Sequence, residues 1–149
     1  MPEASAPGTP AGVLALDFGE RRIGVATGDT LTASARPLGT VAARAGQPDW
    51  DALGRLVRDW QPRLAVIGVP YNMDGSPGRL TERARGFARE FATRFGIEVA
   101  TVDERLSSHE AHDRLRERRR AGTLRRRVRK GDLDSVAACV LLEQWLRGR

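Results

Sequence analysis

The run Val13-Leu-Ala-Leu-Asp-Phe-Gly19 decides how this chain folds, because it predicts the buried strand around which the other elements are arranged. The apolar residues of Val13–Phe18 favour a strand, and the polar residues that follow turn the chain. Strand alternation groups Asp17 with Val13 and Ala15 on one face. A carboxylate at the end of a buried strand costs folding free energy unless a cation or a hydrogen-bond donor pairs with it. Asp17 is therefore the first candidate site residue.

The hydrophobic pattern outside this run predicts further strands and helices in the order βββαβαβαα. The predicted strands are Val13–Phe18, Ile23–Thr27, Ser34–Val41, Leu64–Val69 and Ile97–Val102. The predicted helices are Pro48–Trp60, a helix from Leu80 to Phe95, a third opened by a capping box at Ser107-Ser-His-Glu110, and a last helix through Trp145. An antiparallel meander followed by two crossovers indicates a mixed sheet with helices on both faces. Pro37 favours an edge position for the third strand.

The composition is that of one soluble globular domain. The chain has 149 residues, of which 40% are hydrophobic and 30% charged. We expect residues 12–149 to form the domain. Residues 1–11, rich in Pro, Ala and Gly, are expected to be a disordered lead-in without the regions of a signal peptide. No apolar run approaches the length of a membrane helix. The single cysteine, Cys139, fits a reducing cytoplasm.

The basic excess lies in one segment. Between Arg105 and Lys130 there are eleven Lys/Arg and three Asp/Glu, whereas the rest of the chain has fourteen and sixteen. Such a block suits phosphate backbones, whose affinity comes largely from neutralisation by Lys and Arg. The alternative is a solvated, salt-bridged helix face. The use of arginine in this segment does not itself indicate nucleic-acid binding, because arginine dominates the whole chain: only Lys130 among the 25 basic residues is lysine. The segment 121–131 is expected to be a basic loop.

Two further carboxylates lie at element ends. Glu104 ends the run Ile97-Glu-Val-Ala-Thr-Val-Asp-Glu104, at the carboxyl end of a strand, where crossover sheets usually place their sites. Asp134 falls in the first turn of the last helix, and Ala137 and Ala138 are small enough for that turn to lie close to the sheet. Asp134 is also a good helix N-cap, and this alternative stays open.

If Asp17, Glu104 and Asp134 converge, a divalent metal ion is the simplest partner for them. Carboxylate oxygens without Cys or His favour the hard ions Mg²⁺ and Mn²⁺. Two such ions about 4 Å apart can activate a water and stabilise the leaving oxygen of a phosphodiester, with Asp17 as the natural bridge between them. From spacing alone, the three residues could equally be helix caps and turn formers.

Four ordered motifs resemble the signature blocks of the YqgF/RuvX family, bacterial proteins assigned as Holliday junction resolvases with an RNase H-like fold. The motifs are Asp17-Phe-Gly-Glu-Arg-Arg-Ile-Gly-Val-Ala26, Gly68-Val-Pro-Tyr-Asn-Met-Asp-Gly-Ser76, Asp103-Glu-Arg-Leu-Ser-Ser108 and Lys130-Gly-Asp-Leu-Asp-Ser-Val-Ala-Ala138. The resemblance spans about Gly12 to Arg149. It implies a five-stranded mixed sheet, three strands antiparallel and then two parallel, and metal-dependent cleavage of a nucleic-acid backbone.

The resemblance also implies roles for particular residues. Asp17, Glu104 and Asp134 correspond to the family's catalytic, metal-binding carboxylates. Asp132 departs from the family pattern and could compete as a ligand, but the continuation Asp-Ser-x-Ala-Ala favours Asp134. The family's substrates are four-way DNA junctions and the 5′ end of precursor 16S rRNA, and the resemblance does not choose between them. Cutting two symmetric strands of a junction predicts a homodimer, whereas an rRNA processor could act as a monomer.

Several basic residues are expected to contact nucleic acid. Arg22 follows the turn after Asp17 and is expected to meet the scissile phosphate, mainly through the resemblance; the alternative is an exposed hairpin arginine. The same role is expected for Arg105 beside Glu104 and for Lys130 before Asp134. The basic block adds Arg125, Arg126 and Arg127 to these candidates.

The loop of Asn72, Met73, Asp74 and Gly75 is expected to border the site, since it leaves a strand's carboxyl end. A purely structural turn at Asp-Gly is the alternative.

Other site residues and other functions fit the sequence less well. His109 and His112 lack a third ligand and are interpreted as surface residues. Asp103 is a fallback carboxylate that strand alternation points away from Glu104. A phosphotransferase of the actin/hexokinase type needs two domains, for which the chain is too short. A non-catalytic nucleic-acid-binding or ribosome-assembly module remains the alternative to a nuclease.

Overall fold

The computed structural model describes residues 12–103 and 130–148, the first three residues of the second range by backbone alone. The predicted lead-in, the helix predicted from Ser107 and the residues from Glu104 to Arg129 lie outside this description. The strands are β1 Gly12–Asp17, β2 Arg22–Asp29, β3 Ser34–Arg44, β4 Gln47–Pro48, β5 Leu64–Val69 and β6 Glu98–Asp103. The helices are α1 Trp50–Trp60, α2 Arg79–Phe95 and α3 Lys130–Arg147.

The strands form one mixed sheet in the order β4-β3-β2-β1-β5-β6. The strands β1 to β4 pair antiparallel, while β5 runs parallel to both β1 and β6. The predicted meander and the two crossover strands are therefore confirmed. β1, which carries Asp17, lies inside the sheet between β2 and β5.

The prediction of five strands is wrong, because the described sheet has six. β3 runs three residues past its predicted end at Val41, and its last two residues pair with the two residues of β4. The hairpin is closed by Ala45 and Gly46, both with positive φ (51° and 78°), as a type I′ turn requires. A two-residue strand has no alternating apolar pattern, so periodicity could not reveal it.

Pro37 lies on the open side of β3, as expected. It pairs with Ala26 of β2 on one side, whereas β4 pairs only with Ala43 and Arg44, farther along β3. The missing N–H of Pro37 therefore interrupts no ladder to β4.

Helices cover both faces of the sheet, which confirms the prediction. On one face α1 and α2 pack against Leu14, Leu16 and Ile67, with Leu53 and Phe91 fully buried. The other face is covered by α3, whose buried residues contact the opposite side chains of β1, β2 and β5. This second cluster contains Val13, Ala15, Ala26, Val66, Ala138, Cys139, Leu142 and Leu146. None of the described helices is long and apolar enough to cross a membrane.

The start of the last helix differs from its prediction. α3 is already helical at Lys130, so Lys130 and Gly131 do not belong to a loop. Asp134 is at least the fifth residue of the helix, and the predictions that it is an N-cap or lies in the first turn are both wrong. A helix interior needs no cap, so the side chain of Asp134 is available for another role.

Candidate active site

The carboxyl ends of β1, β5 and β6 meet at one edge of the sheet. Asp17 pairs in parallel register with Gly68 of β5, and Asp103, the last residue of β6, pairs with Val69. Asp17 also pairs antiparallel with Gly24 of β2. Open sheets with crossover connections bind ligands outside such an edge. The structure thus places Asp17 where a site is expected.

α3 reaches this edge through a glycine. A Cβ atom built on Gly24 would lie 2.0 Å from the backbone oxygen of Asp134 and 2.4 Å from its carbonyl carbon. Any side chain at Gly24 would therefore collide with the backbone of α3. Because Gly24 is also the strand partner of Asp17, the same residue lies next to both aspartates.

A second glycine of β2 lies close to a side chain of α3, about two helical turns beyond Asp134. A Cβ on Gly28 would lie 2.7 Å from Cδ2 of Leu142 in α3 and 2.4 Å from the backbone oxygen of Ser34. Gly24, Ala26 and Gly28 alternate along β2 and form the small-residue track on which α3 lies. Sequence reasoning assigned the close approach to Ala137 and Ala138 and missed this track. Small residues at alternate positions of a predicted strand are the sequence signal for such a track.

Asp17 and Asp134 share one face of the sheet. Alternation puts Asp17 on the side of Val13 and Ala15, and these two residues pack in the cluster formed with α3. Asp17 is half-buried. The structure therefore brings together two of the three predicted carboxylates.

Arg22, the first residue of β2, joins this pair. Its Nε donates a hydrogen bond to Oδ2 of Asp134 over 2.9 Å, and the two side chains are 33% and 31% exposed. Arg22 is consequently a partly buried, ion-paired residue beside the carboxylates. The alternative of a solvent-exposed hairpin arginine is wrong.

The third carboxylate, Glu104, lies outside the described residues, as do Arg105, Arg125, Arg126, Arg127, His109 and His112. Lys130 is described by its backbone alone, and so is Asp132, whose competition with Asp134 stays undecided. Among the side chains that the structure describes, those of residues 12–103 and 133–148, no group of three Asp, Glu, His or Cys could hold a metal ion. A three-carboxylate site at this edge therefore requires a residue from outside that set.

The end of β6 is described as far as Asp103. Val102 packs on the cluster beneath α3, and Val99 packs on the cluster of α1 and α2. Alternation from Val99 places Asp103, which is exposed, on the α1 and α2 face. Asp103 thus faces away from the side that carries Asp17 and Asp134, as the sequence predicts.

The loop after β5 is a hydrogen-bonded turn at the same edge of the sheet. Oδ1 of Asp74 accepts bonds from the backbone N of Ser76 (2.9 Å) and from its Oγ (2.6 Å). The N of Gly75, whose φ is 90°, donates to the oxygen of Asn72. These bonds show that Asp74 and Gly75 form a structural turn. Met73 at its tip is 90% exposed.

The β1–β2 turn is anchored to α2 by Glu20, a contact that sequence reasoning missed. Its carboxylate accepts hydrogen bonds from Arg79 (2.7 Å) and Arg83 (2.5 Å). The Arg79 hydrogen bond, followed by the charges of both arginines, holds the pKa of Glu20 below its ordinary value. This clamp fixes the turn that leads into Arg22. An isolated glutamate in a turn gives no signal of partners about sixty residues away.

Curated relatives match nearly the whole chain. A protein of Edwardsiella ictaluri (strain 93-146), named "Putative pre-16S rRNA nuclease", is 46% identical over 140 residues, covering 94% of this chain and 97% of the relative. Relatives with the same name from Legionella pneumophila (strain Paris) and Escherichia coli O157:H7 are 45% and 46% identical, and cover 93% and 89% of this chain. These matches span 97% and 94% of the relatives' own lengths.

Solved structures of resolvases share the fold. T. thermophilus RuvC in complex with Holliday junction substrate superimposes with a TM-score of 0.51 at 16% identity, over 87% of this chain and 90% of that chain. The Fowlpox virus resolvase with Holliday junction DNA gives a TM-score of 0.54 at 11% identity, over 92% and 97%. These likenesses confirm the predicted RNase H-like fold. Resolvases and nucleases of this fold generally use divalent metal ions.

The family model decides the assignment that the four motifs suggested. The model named RuvX, described as Holliday junction resolvase, matches residues 11–148. The match covers every strand and helix that the structure describes, including Asp17, Arg22 and Asp134. The chain belongs to the RuvX family of Holliday junction resolvases.

Proposed function

We propose that this protein is a divalent-metal-dependent endonuclease that hydrolyses phosphodiester bonds in structured nucleic acid. The observation that carries the proposal is the convergence of Asp17 and Asp134 on one face of the sheet, at its carboxyl edge, beside the backbone of Gly24. Membership of the RuvX family and the nuclease name of its relatives support the same reaction.

The donor set fits a hard divalent ion. Asp17 and Asp134 offer only carboxylate oxygens, which Mg²⁺ and Mn²⁺ prefer. Cys139, the chain's one cysteine, is 3% exposed within the core, so no thiolate competes for the ion. Two carboxylates next to each other also need a positive charge to offset their repulsion.

Glu104 is the proposed third ligand. It follows directly in the sequence after Asp103, with which β6 ends at the same carboxyl edge as β1 and β5. It shares its alternation phase with Val102, whose side chain packs on the α3 side of the sheet. Asp17, Glu104 and Asp134 would together hold the metal, which when bound activates a water and stabilises the leaving oxygen of the phosphodiester.

The chain's own residues position the substrate around this site. β1 lies inside the sheet, so Asp17 is held by hydrogen-bonded strands on both sides. Arg22 presents a guanidinium beside Asp134, suited to a phosphate oxygen. The basic residues Arg105, Arg125, Arg126, Arg127 and Lys130 are the ones we propose to neutralise the phosphate backbone of the substrate. The turn of Asn72, Met73, Asp74 and Gly75 borders the site along the same edge.

Precursor 16S rRNA is the substrate we favour. The relatives that carry its name are 45–47% identical over most of the chain, whereas the resolvases bound to junction DNA are 16% and 11% identical. A four-way DNA junction is the second candidate, on the description of the family model. Junction resolution would require a homodimer with two sites, and rRNA processing would not. We propose a cytoplasmic location, where either polymer would be met.

The test compares both substrates under one set of conditions. Purified protein is incubated with a precursor 16S rRNA fragment or a four-way junction, in Mn²⁺, in Mg²⁺ or in EDTA, and single-turnover cleavage is followed. We expect cleavage that needs metal and that Asp134→Asn abolishes. Asp132→Asn is the matched control, two residues away on the same helix, and should cleave as the wild type does.

Two outcomes would contradict this function. Tight binding of both nucleic acids without cleavage in either metal would support the non-catalytic module instead. Equal cleavage by Asp134→Asn and wild type, with loss in Asp132→Asn, would move the site to Asp132.

A further inference from the structure

The ion pair between Arg22 and Asp134 couples the start of β2 to the interior of α3. It joins residues 112 positions apart in the sequence, through one hydrogen bond from Nε to Oδ2. Asp134 needs no such bond for its helix, since its position is internal and helical capping does not involve it. The contact is also not required to attach α3, which is held by the apolar cluster around Ala138 and Leu142.

Charge explains this contact better than packing does. Asp17 and Asp134 lie on the same face of the sheet, and Gly24 is next to both of them. Both residues are half-buried. Like charges brought together in this way destabilise a fold unless a cation lies between or beside them. Arg22 is a cation bonded directly to the carboxylate of Asp134.

We propose that Arg22 is a metal surrogate: it compensates Asp134 while no metal is bound, and it competes with the metal for that carboxylate. The inference rests on the proposed metal site. When Asp134 becomes a metal ligand, the charge that held Arg22 is neutralised, and the guanidinium is released toward the phosphate of the substrate. Arg22 would then bind substrate better in the metal-loaded protein than in the metal-free one.

Orientation of Asp134 by Arg22 and competition with the metal predict opposite effects of removing Arg22 on the affinity for Mn²⁺. If Arg22 merely oriented Asp134 as a ligand, its removal would weaken metal binding. If Arg22 competes, its removal strengthens metal binding. A partly exposed contact between unit charges changes an equilibrium constant by up to about fivefold, and the ion carries two charges. We therefore expect Arg22→Gln to bind Mn²⁺ about three- to tenfold more tightly than wild type.

The experiment is a calorimetric titration of full-length protein with Mn²⁺ at fixed ionic strength. Arg21→Gln is the matched control, because it removes the same charge from the neighbouring, exposed residue of the turn, and it should bind as wild type does. Arg22→Lys keeps the charge and should also stay close to wild type. Unchanged or weaker Mn²⁺ binding by Arg22→Gln, or an equal gain in Arg21→Gln, overturns the inference.

Thermal melts supply a second readout. Without metal, Arg22→Gln should melt at a lower temperature than Arg21→Gln, because it removes the cation that is bonded to Asp134. Saturating Mn²⁺ should close that gap, since bound metal stabilises the folded state. A gap that stays the same with and without Mn²⁺ would make the ion pair purely structural and overturn the inference.

Failure of the proposed site is distinguishable from failure of this inference. Wild-type protein that binds no Mn²⁺, or an Asp17→Asn variant that binds as much as wild type, would remove the metal site, and the inference would fall with it. Normal Mn²⁺ binding that depends on Asp17 but not on Arg22 would overturn the inference and leave the proposed function standing.

Discussion

The replacement Gly24→Ala should disable the site by pushing α3 away from the sheet. The added Cβ would lie 2.0 Å from the backbone oxygen of Asp134, whereas real Cβ atoms essentially never come closer than 3.0 Å to another heavy atom. Backbone atoms cannot rotate out of the way as a side chain can. The helix must therefore move by at least about 1 Å at the very residue that is proposed to bind metal.

Two losses follow from that displacement. Overfilling a packed interior typically costs about 1–3 kcal/mol of stability. A misplacement of about 1 Å in a catalytic group can cost on the order of 100-fold in rate. We expect Gly24→Ala to show both, measured as the free energy of unfolding in urea and as the single-turnover cleavage rate in Mn²⁺.

The matched control is Gly28→Ala, in the same strand and under the same helix. Its Cβ would also collide with backbone, at 2.4 Å from the oxygen of Ser34, but it lies two alternation steps farther from the site. It should lose stability by a similar amount and keep most of its cleavage rate. Equal rate losses in the two variants, or wild-type stability and rate in Gly24→Ala, would refute the argument that Gly24 positions Asp134.

Three further predictions concern other parts of the molecule. Gly54→Ala in α1 should raise the free energy of unfolding by about 0.5–1 kcal/mol, because its Cβ would meet Phe95 at a comfortable 3.7 Å; a loss in urea titrations would contradict this. Arg79 lowers the pKa of Glu20, so the stability that Glu20 adds is present above its ordinary pKa of 4.5 and is lost as the pH falls through the lower folded-state value. The stability gap between wild type and Glu20→Gln should therefore close below pH 4.5, and a gap that widens there would refute the clamp. Replacing all three of residues 125–127 with Gln should reduce the slope of log K against log salt by up to about 2.7 for duplex DNA, and an unchanged slope in anisotropy titrations would exclude them from the interface.

The central part of the sheet could be predicted from the sequence because its residues obey a single pattern. Leu64–Val69 is a continuous apolar run buried on both faces, and its predicted bounds match β5. The stop of α2 at Gly96 was equally readable, since a left-handed residue (φ 65°) ends the helix there. Where local chemistry and tertiary structure agree, sequence reasoning was sufficient.

The start of α3 could not be predicted, because its local signals favour a different structure. Residues 121–131 were expected to be a basic loop, and Asp134 was expected in the first turn of the helix or at its N-cap. In the structure the helix is already formed at Lys130, and the side chain of Asp134 bonds Arg22. That partner lies 112 residues away, which no local pattern can indicate.

The candidate site was recoverable only in part for a related reason. Strand alternation and the carboxyl-edge rule were enough to select Asp17. The contact that joins it to Asp134 runs through Gly24, a residue whose importance is the absence of a side chain. Glycine at one strand position has many causes, and only the packed structure distinguishes a helix crossing from a bulge or a turn.

The central claim is that Asp17 acts at a metal-dependent nuclease site. Its most direct test is the single-turnover rate of cleavage, in saturating Mn²⁺, of precursor 16S rRNA and of a four-way junction by Asp17→Asn. Asp29→Asn is the control, since Asp29 ends the neighbouring strand at the opposite edge of the sheet and its Oδ1 accepts a bond that asparagine can keep. We predict that Asp17→Asn loses on the order of 1,000-fold or more while still folded, and that Asp29→Asn cleaves at the wild-type rate. Cleavage by folded Asp17→Asn at the wild-type rate would contradict the account.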